Sequence, residues 1–211
     1  MIRLVAFDLD GTLSPGLTVV ERLAQGVGKL PDMNALEARL TRGEITRDVL
    51  AEAAAGHLRG MSVAGAAALL DPWALMPGAE ETVARLRTQG IAVLLVTLTW
   101  RFAAGLIGRR LALDDWSGSE PELDGDGLCT GKIRHLFTEP DKRHFIEAHA
   151  ADLGIAMSQV VAVGDSAGDI PMFQAAGRSI AINASPTARQ AATSALDATD
   201  MRDILPLLGF A

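Results

Sequence analysis

Two aspartates one residue apart, Asp8 and Asp10, close a short apolar run, Leu4-Val5-Ala6-Phe7, and are the residues best placed to do chemistry. On a strand, residues i and i+2 face the same side, so both carboxylates would leave the sheet at one point. Like charges held so close are unfavourable unless a proton or a cation offsets them, which makes the pair a candidate site for a hard metal ion. Taken alone, Asp10-Gly11 also suits a hairpin turn with Asp8 as a solvated neighbour.

A second apolar run, Val160 to Val163, repeats the design by leading into Gly164-Asp165-Ser166-Ala167-Gly168-Asp169. Gly164 is expected to let the backbone turn at the strand's end. One of the two aspartates could serve only as the cap of the following helix, through Met172 and Phe173. That does not account for both, nor for the match with the first run. A third apolar run, Ile91 to Thr97, ends in a hydroxyl.

These residues need elements to carry them. The apolar runs are continuous rather than alternating, as in strands of a parallel sheet covered on both faces, and such sheets bind ligands beyond the C-terminal strand ends. Helical periodicity predicts helices at 79–89, 100–111, 140–153 and 168–176, a last strand at 179–182 and two short helices within 186–208. Asp124-Gly125-Asp126-Gly127 marks a tight turn, and 128–136 reads as a short antiparallel ribbon. Between Ser14-Pro15-Gly16 and Pro77-Gly78 strand signals are absent. Four helical stretches fill that interval, at 17–29, 32–41, 46–58 and 62–70, with Thr46 and Ser62 as caps for the last two.

Composition narrows the partners. The chain has 211 residues, 49% hydrophobic and 21% charged, enough for one domain or one domain with a large insertion. A net charge of −7 offers no basic stripe to nucleic acid or to an anionic membrane, so neither is expected as a partner. Cys129 is the only cysteine, which excludes an intrachain disulfide and a thiolate metal cluster. Arg3, Asp8 and Asp10 interrupt any signal-peptide core, so a cytoplasmic location is expected. The oligomeric state stays open.

With Asp8, Asp10, Thr97, Lys142, Asp165 and Asp169 in place, the chain resembles the haloacid dehalogenase superfamily of phosphotransferases over essentially its full length. The resemblance rests on Asp-Leu-Asp-Gly-Thr at 8–12, the strand ending in Thr97, Lys142 opening a helix, and Gly-Asp-Ser-Ala-Gly-Asp at 164–169. It implies an α/β fold: a Rossmann-like parallel sheet from 1–14 and 77–211, with a small all-helical cap, 15–76, inserted after the first strand. The cap's position, the Thr130-Gly131 ribbon and Asp169-Ile170-Pro171-Met172 resemble the phosphoserine phosphatase-like branch.

The resemblance also implies roles. Asp8 would be the nucleophile that forms an aspartyl-phosphate, and Asp10 the acid and then the base. Mg²⁺ would be held by the Asp8 carboxylate, the Asp10 backbone carbonyl and Asp165, with Asp169 in or near the shell behind them. Thr97 and Lys142 would bind the phosphoryl group of a small phosphorylated metabolite. The implied activity is a Mg²⁺-dependent phosphatase. A catalytically reduced metabolite-binding relative and a phosphoacceptor protein are the alternatives.

The chain departs from that branch where substrate is recognised. Leu98-Thr99 stands where two glycines are usual, and Gly168 where an asparagine is. Leu17 and Ala54 align with a glutamate and an arginine that would hold the amine and carboxylate of phosphoserine, so phosphoserine is expected to bind poorly. Arg47, His57 and Arg59 are the remaining candidates for recognising an anion.

Overall fold

The computed structural model describes residues 1–210. Six strands form one parallel sheet in the order β3-β2-β1-β6-β7-β8. They are β1 (Leu4–Phe7), β2 (Ala92–Leu95), β3 (Asp115–Trp116), β6 (Val160–Gly164), β7 (Arg178–Ile182) and β8 (Ser194–Leu196). The chain runs outward from β1 to β3, then crosses back so that β6 lies on the other side of β1. β1 is therefore flanked by β2 and β6, with Phe7 opposite Leu95 on one side and Val163 on the other. The three strands picked out by their polar ends are neighbours, and the reversal of strand order falls among them.

Side-chain alternation sends each strand's residues to two cores. Val5, Phe7, Val93, Leu95, Val161 and Val163 join one cluster; Leu4, Ala6, Leu94, Val160 and Ala162 join the other. The second cluster is closed by α7 (Glu139–Asp152), α8 (Ile170–Ala175) and α9 (Pro186–Ala191) through Ile146, Ala150, Met172, Phe173 and Ala188. The first is closed by α5 (Ala79–Thr88) and α6 (Arg101–Arg110), through residues such as Val83, Leu86 and Ile107. Burial on both faces is why the strands read as unbroken apolar runs.

The first core also extends into the helices that follow β1. These are α1 (Val19–Gly26), α2 (Leu30–Thr41), α3 (Arg47–His57) and α4 (Val63–Ala68). Val19, Leu23, Met33, Leu50, Leu58, Ala66 and Trp73 belong to the same apolar cluster as the sheet residues, and Trp73 Nε1 donates to Ser14 Oγ at 2.7 Å. Thr18 caps α1 with a reciprocal bond to Glu21, and Ser62 caps α4 by accepting from Gly65 N–H. The antiparallel ribbon is β4 (Glu120–Leu123) with β5 (Cys129–His135). It is tied to the end of α3 by two backbone bonds of 2.8 Å, Gly60 N–H to Cys129 O and Cys129 N–H to Met61 O.

The tail differs from its sequence reading. Instead of two helices, 186–208 contains α9, the edge strand β8 and two single 3₁₀ turns, Met201–Ile204 and Pro206–Leu208. Strand β8 is three residues long and partly exposed, too short to show a period. β3 escaped for the same reason, being two residues long.

Candidate active site

Asp8 is the first residue beyond β1, and its N–H donates to Val163 O of the neighbouring strand at 2.9 Å, which carries the ladder one step past the strand end. Asp8 as a whole residue is 5% exposed. Lys142, in the first turns of α7 and 2% exposed, reaches over the sheet's C-terminal edge. Its Nζ donates at 2.6 Å to Asp8 Oδ1 and at 2.6 Å to Asp169 Oδ1. One ammonium thus joins the ends of β1 and β6. Its charge is disfavoured by burial, but Asp169 and Asp8 outweigh that and hold its pKa above the usual lysine value.

Asp169 is fully buried and occupied as a brace. Its Oδ2 accepts from the N–H groups of Asp165 (3.0 Å) and Ser166 (2.9 Å) and from Ser166 Oγ (3.2 Å). It makes no side-chain cap for α8. The loop closes so tightly around it that a Cβ on Gly164 would lie 2.5 Å from Asp169 Cγ. Gly164 is therefore needed for that close approach, and not for a turn: it is the last residue of β6 and has no left-handed φ. Gly11 is required twice over, with φ +83° and with Asp165 Oδ2 at 2.3 Å from where its Cβ would stand. The Asp10-Gly11 turn is real, with Gly11 N–H donating to Ser14 O, and its use is to seat Asp165 against the first loop. Thr12 Oγ1 donates to Asp165 Oδ1 at 3.3 Å.

The Asp8, Asp165 and Asp169 carboxylates each offer an oxygen, and these oxygens lie within 4.8 Å of one another. Burial raises the Asp8 carboxyl well above its ordinary range, aided by Asp169 and Asp165 and opposed by Lys142. Burial likewise pushes Asp165 up to about 6, with Asp169 adding to it. Three carboxylates sharing one ammonium leave surplus negative charge, the electrostatic condition that an oxygen-seeking divalent cation satisfies.

Asp10 stands slightly apart. Its Oδ1 accepts from Val19 N–H at 2.9 Å, so the start of α1 orients it, while burial pushes its carboxyl up to about 7. Thr97 lies two residues past β2. Ser117 holds it by accepting its N–H at 2.8 Å and donating to its carbonyl at 3.1 Å.

A cavity of about 280 Å³ opens over these groups. Asp8, Asp10, Thr97, Lys142 and Asp165 line its floor, whereas Asp169 lies buried beneath it. Leu98 and Thr99 line it too, as do Ala54 and Leu50 of α3. Of the three anion candidates only Arg47 faces the cavity. Arg59 packs against Gly131 of the ribbon, and His57 sits at the far end of α3. Leu17 is not in the lining. Thr12, Ser117, Ser166 and Glu139 are site residues that the sequence reading did not single out. Thr12 and Ser166 stood inside the quoted motifs, but nothing local marks Ser117, twenty positions from its partner.

The haloacid dehalogenase-like hydrolase family model matches residues 5–174. Phosphoserine phosphatase SerB2 of Mycobacterium tuberculosis is 34% identical over 98% of this chain and 50% of its own length, so the chain spans half of that relative. A phosphoserine phosphatase of Albidiferax ferrireducens is 30% identical over 97% of this chain and 89% of its own. Among solved structures, a substrate-bound phosphoserine phosphatase complex superposes with a TM-score of 0.87 at 26% identity, covering 98% of both chains. A phospho-aspartyl intermediate analogue of phosphoserine phosphatase gives 0.86, also at 26% identity and 98% of both chains.

Proposed function

The chain belongs to the haloacid dehalogenase-like hydrolase family, and on that premise we propose that it is a Mg²⁺-dependent phosphomonoester hydrolase acting through an aspartyl-phosphate on Asp8. The observation that carries this reading is the floor: a buried carboxylate pinned by Lys142 beside two further carboxylates, under a cavity of metabolite size. Residues 15–76 are the cap and the remainder the core.

Asp8 Oδ2 is free to attack, because Lys142 engages Oδ1 and fixes the carboxylate's rotation. Asp10, with a carboxyl near neutrality, gives its proton to the leaving alcohol oxygen and later takes one from the water that hydrolyses the acyl phosphate. Lys142 offsets charge on the transferring group, and the Thr97 hydroxyl binds one of its oxygens. Asp8, Asp165 and the Asp10 carbonyl would hold Mg²⁺, braced by Asp169. When bound it supplies charge stabilisation for a phosphoryl group approaching an anion.

The leaving group is a small alcohol. With Ala54 in the cavity wall and Leu17 outside it, phosphoserine is expected to be a poorer substrate than other small phosphomonoesters. The deciding assay follows Mg²⁺-dependent release of phosphate from 4-nitrophenyl phosphate, with Asp8→Asn as control. Turnover that survives in Asp8→Asn would sink the aspartyl-phosphate route. Absence of turnover in the wild type on any phosphomonoester would sink the hydrolase reading.

A further inference from the structure

We propose that Leu98 is a specificity-determining residue of the cavity. By lying over Gly168 it makes the corner beside the phosphoryl site apolar, which selects phosphomonoesters whose alcohol presents hydrocarbon, not a polar substituent, next to its ester oxygen. The inference rests on the hydrolase reading for its reaction and adds the class of alcohol.

Leu98 directly follows Thr97, and Gly168 lies in the loop from Asp165 to Asp169. The two loops meet at that point. A Cβ at position 168 would stand 3.4 Å from Leu98 Cδ1, 3.3 Å from Ser166 Oγ and 3.9 Å from Arg47 Nη2. Gly168 has no left-handed φ, so a side chain is kept out by lack of space and not by backbone strain. A methyl group would barely fit, and anything longer needs the volume that Leu98 holds. Positions 98 and 168 thus share one space. In the branch that the chain resembles, the larger member of the pair is the asparagine at the second position; here it is the leucine at the first. Its direction is fixed from behind, because Ser119 Oγ donates to Leu98 O at 3.1 Å and Ser119 N–H donates to Thr99 O at 2.7 Å.

The polar side chains of the lining are largely engaged already. Ser166 Oγ donates to Asp169 at 3.2 Å, Thr18 Oγ1 to Glu21 at 2.9 Å and Thr138 Oγ1 to Asp141 at 2.6 Å. Arg47, the first residue of α3, is tied at Nε to Oε1 of Glu139, the first residue of α7, at 2.6 Å across the cavity mouth. Glu37 and Asp48 leave the helical side of the lining acidic, which disfavours an anionic substituent. A hydroxyl brought to the corner would give up water for the methyl groups of Leu98, whereas hydrocarbon gains by the same burial.

The test compares propyl phosphate with 2-hydroxypropyl phosphate, which differ in one hydroxyl, and adds phosphoethanolamine, with an amine on the same carbon. Wild type with Mg²⁺ should favour propyl phosphate in kcat/KM by about 10- to 100-fold. Leu98→Ala should bring the propyl to hydroxypropyl ratio within about threefold of one, mainly by raising KM for the propyl ester. Leu98→Met should keep most of the preference, since volume and apolarity are retained. Gly168→Asn should lower kcat/KM for both esters. Combined with Leu98→Ala the added side chain has room, so turnover should return and favour the hydroxy ester, a coupling of about tenfold or more in the double-mutant cycle. Leu153→Ala, at an exposed position after α7, should leave the ratio unaltered.

A wild-type preference for the hydroxy ester or for phosphoethanolamine overturns the assignment, as does a ratio unchanged in Leu98→Ala. An equal loss of kcat on both esters in that variant does so too, since Leu98 would then only support Thr97. Additive effects in the cycle would overturn the shared space. If wild type turns over none of these esters nor 4-nitrophenyl phosphate, the hydrolase reading fails instead. Calorimetric binding of the propyl and hydroxypropyl esters to wild type and Leu98→Ala then decides the matter, with equal affinity of wild type for both counting against Leu98.

Discussion

The floor and the outer wall of the cavity are built on different principles. Three side chains of the floor are held by partners distant in sequence: Asp8 by Lys142 across 134 positions, Thr97 by Ser117 across 20, Asp165 by Thr12 across 153; Asp10 alone is held locally, by Val19 nine positions on. All leave the ends of strands in one sheet. The wall is carried by helices α1 to α3 and the segment leading into α7, and its main polar contact is an ion pair whose side chains are 47% and 31% exposed. The geometry of the floor is thus fixed by the sheet, while the wall rests on contacts that a few substitutions could rewrite.

If that contrast is right, floor substitutions lower kcat and wall substitutions move KM. Asp8→Asn is the extreme case, with phosphatase turnover expected to fall on the order of 10⁴-fold or more in a Mg²⁺ assay. Lys142→Met comes next. It leaves Asp8 and Asp169 buried without their shared cation, so unfolding in chelator should cost roughly 3 kcal/mol less, and kcat should drop about 100-fold. Gly11→Ala should raise the Mg²⁺ concentration for half-maximal rate about tenfold, because the added methyl group displaces Asp165 and strains a left-handed residue. Glu37→Gln, a wall change at a half-buried carboxylate in the field of Arg47, should shift KM less than about threefold and leave Tm near the wild-type value. A Glu37 variant that lost kcat instead would erase the distinction between floor and wall.

Titration reports on the floor as well. Asp10 at about 7 and Asp165 at about 6 both lie above their unfolded values, so between pH 4 and 7 the native state holds the extra protons. Stability of the metal-free protein should therefore fall as pH rises through that window, as read from Tm in chelator. Added Mg²⁺ should reverse most of the fall by stabilising the ionised carboxylates. For the same reason kcat/KM should decline above pH 7, where Asp10 has lost the proton it must donate, and Asp10→Asn should remove that limb along with most of the activity.

The floor was largely legible in the sequence because it is carried by continuous apolar runs that end in acidic or hydroxyl residues, a pattern set by burial on both faces. Asp8, Asp10, Thr97, Lys142 and Asp165 were all found on the same cavity from that pattern and the motifs around it. The wall was not. Arg47, His57 and Arg59 are equivalent as letters on or just beyond one helix, and only the three-dimensional packing turns Arg47 toward the cavity and Arg59 toward the ribbon. Glu139 was invisible because its partner is 92 positions away. The edge strands β3 and β8 escaped because two or three half-exposed residues carry no period.

The stitch between Gly60, Met61 and Cys129 makes a lever of the ribbon. Ser119, next to the start of β4, donates its N–H to Thr99 O at 2.7 Å and its hydroxyl to Leu98 O at 3.1 Å, and accepts Phe137 N–H at 3.0 Å. A motion that lifts residues 58–62 pulls Cys129, and through β5 and β4 it bears on the loop that carries Thr97. In the proposed reaction, widening the mouth for product release would then be geared to the loop that carries Thr97. In hydrogen exchange the amides of Gly60, Cys129 and Ser119 should open at a common rate, while that of Asp8 stays protected.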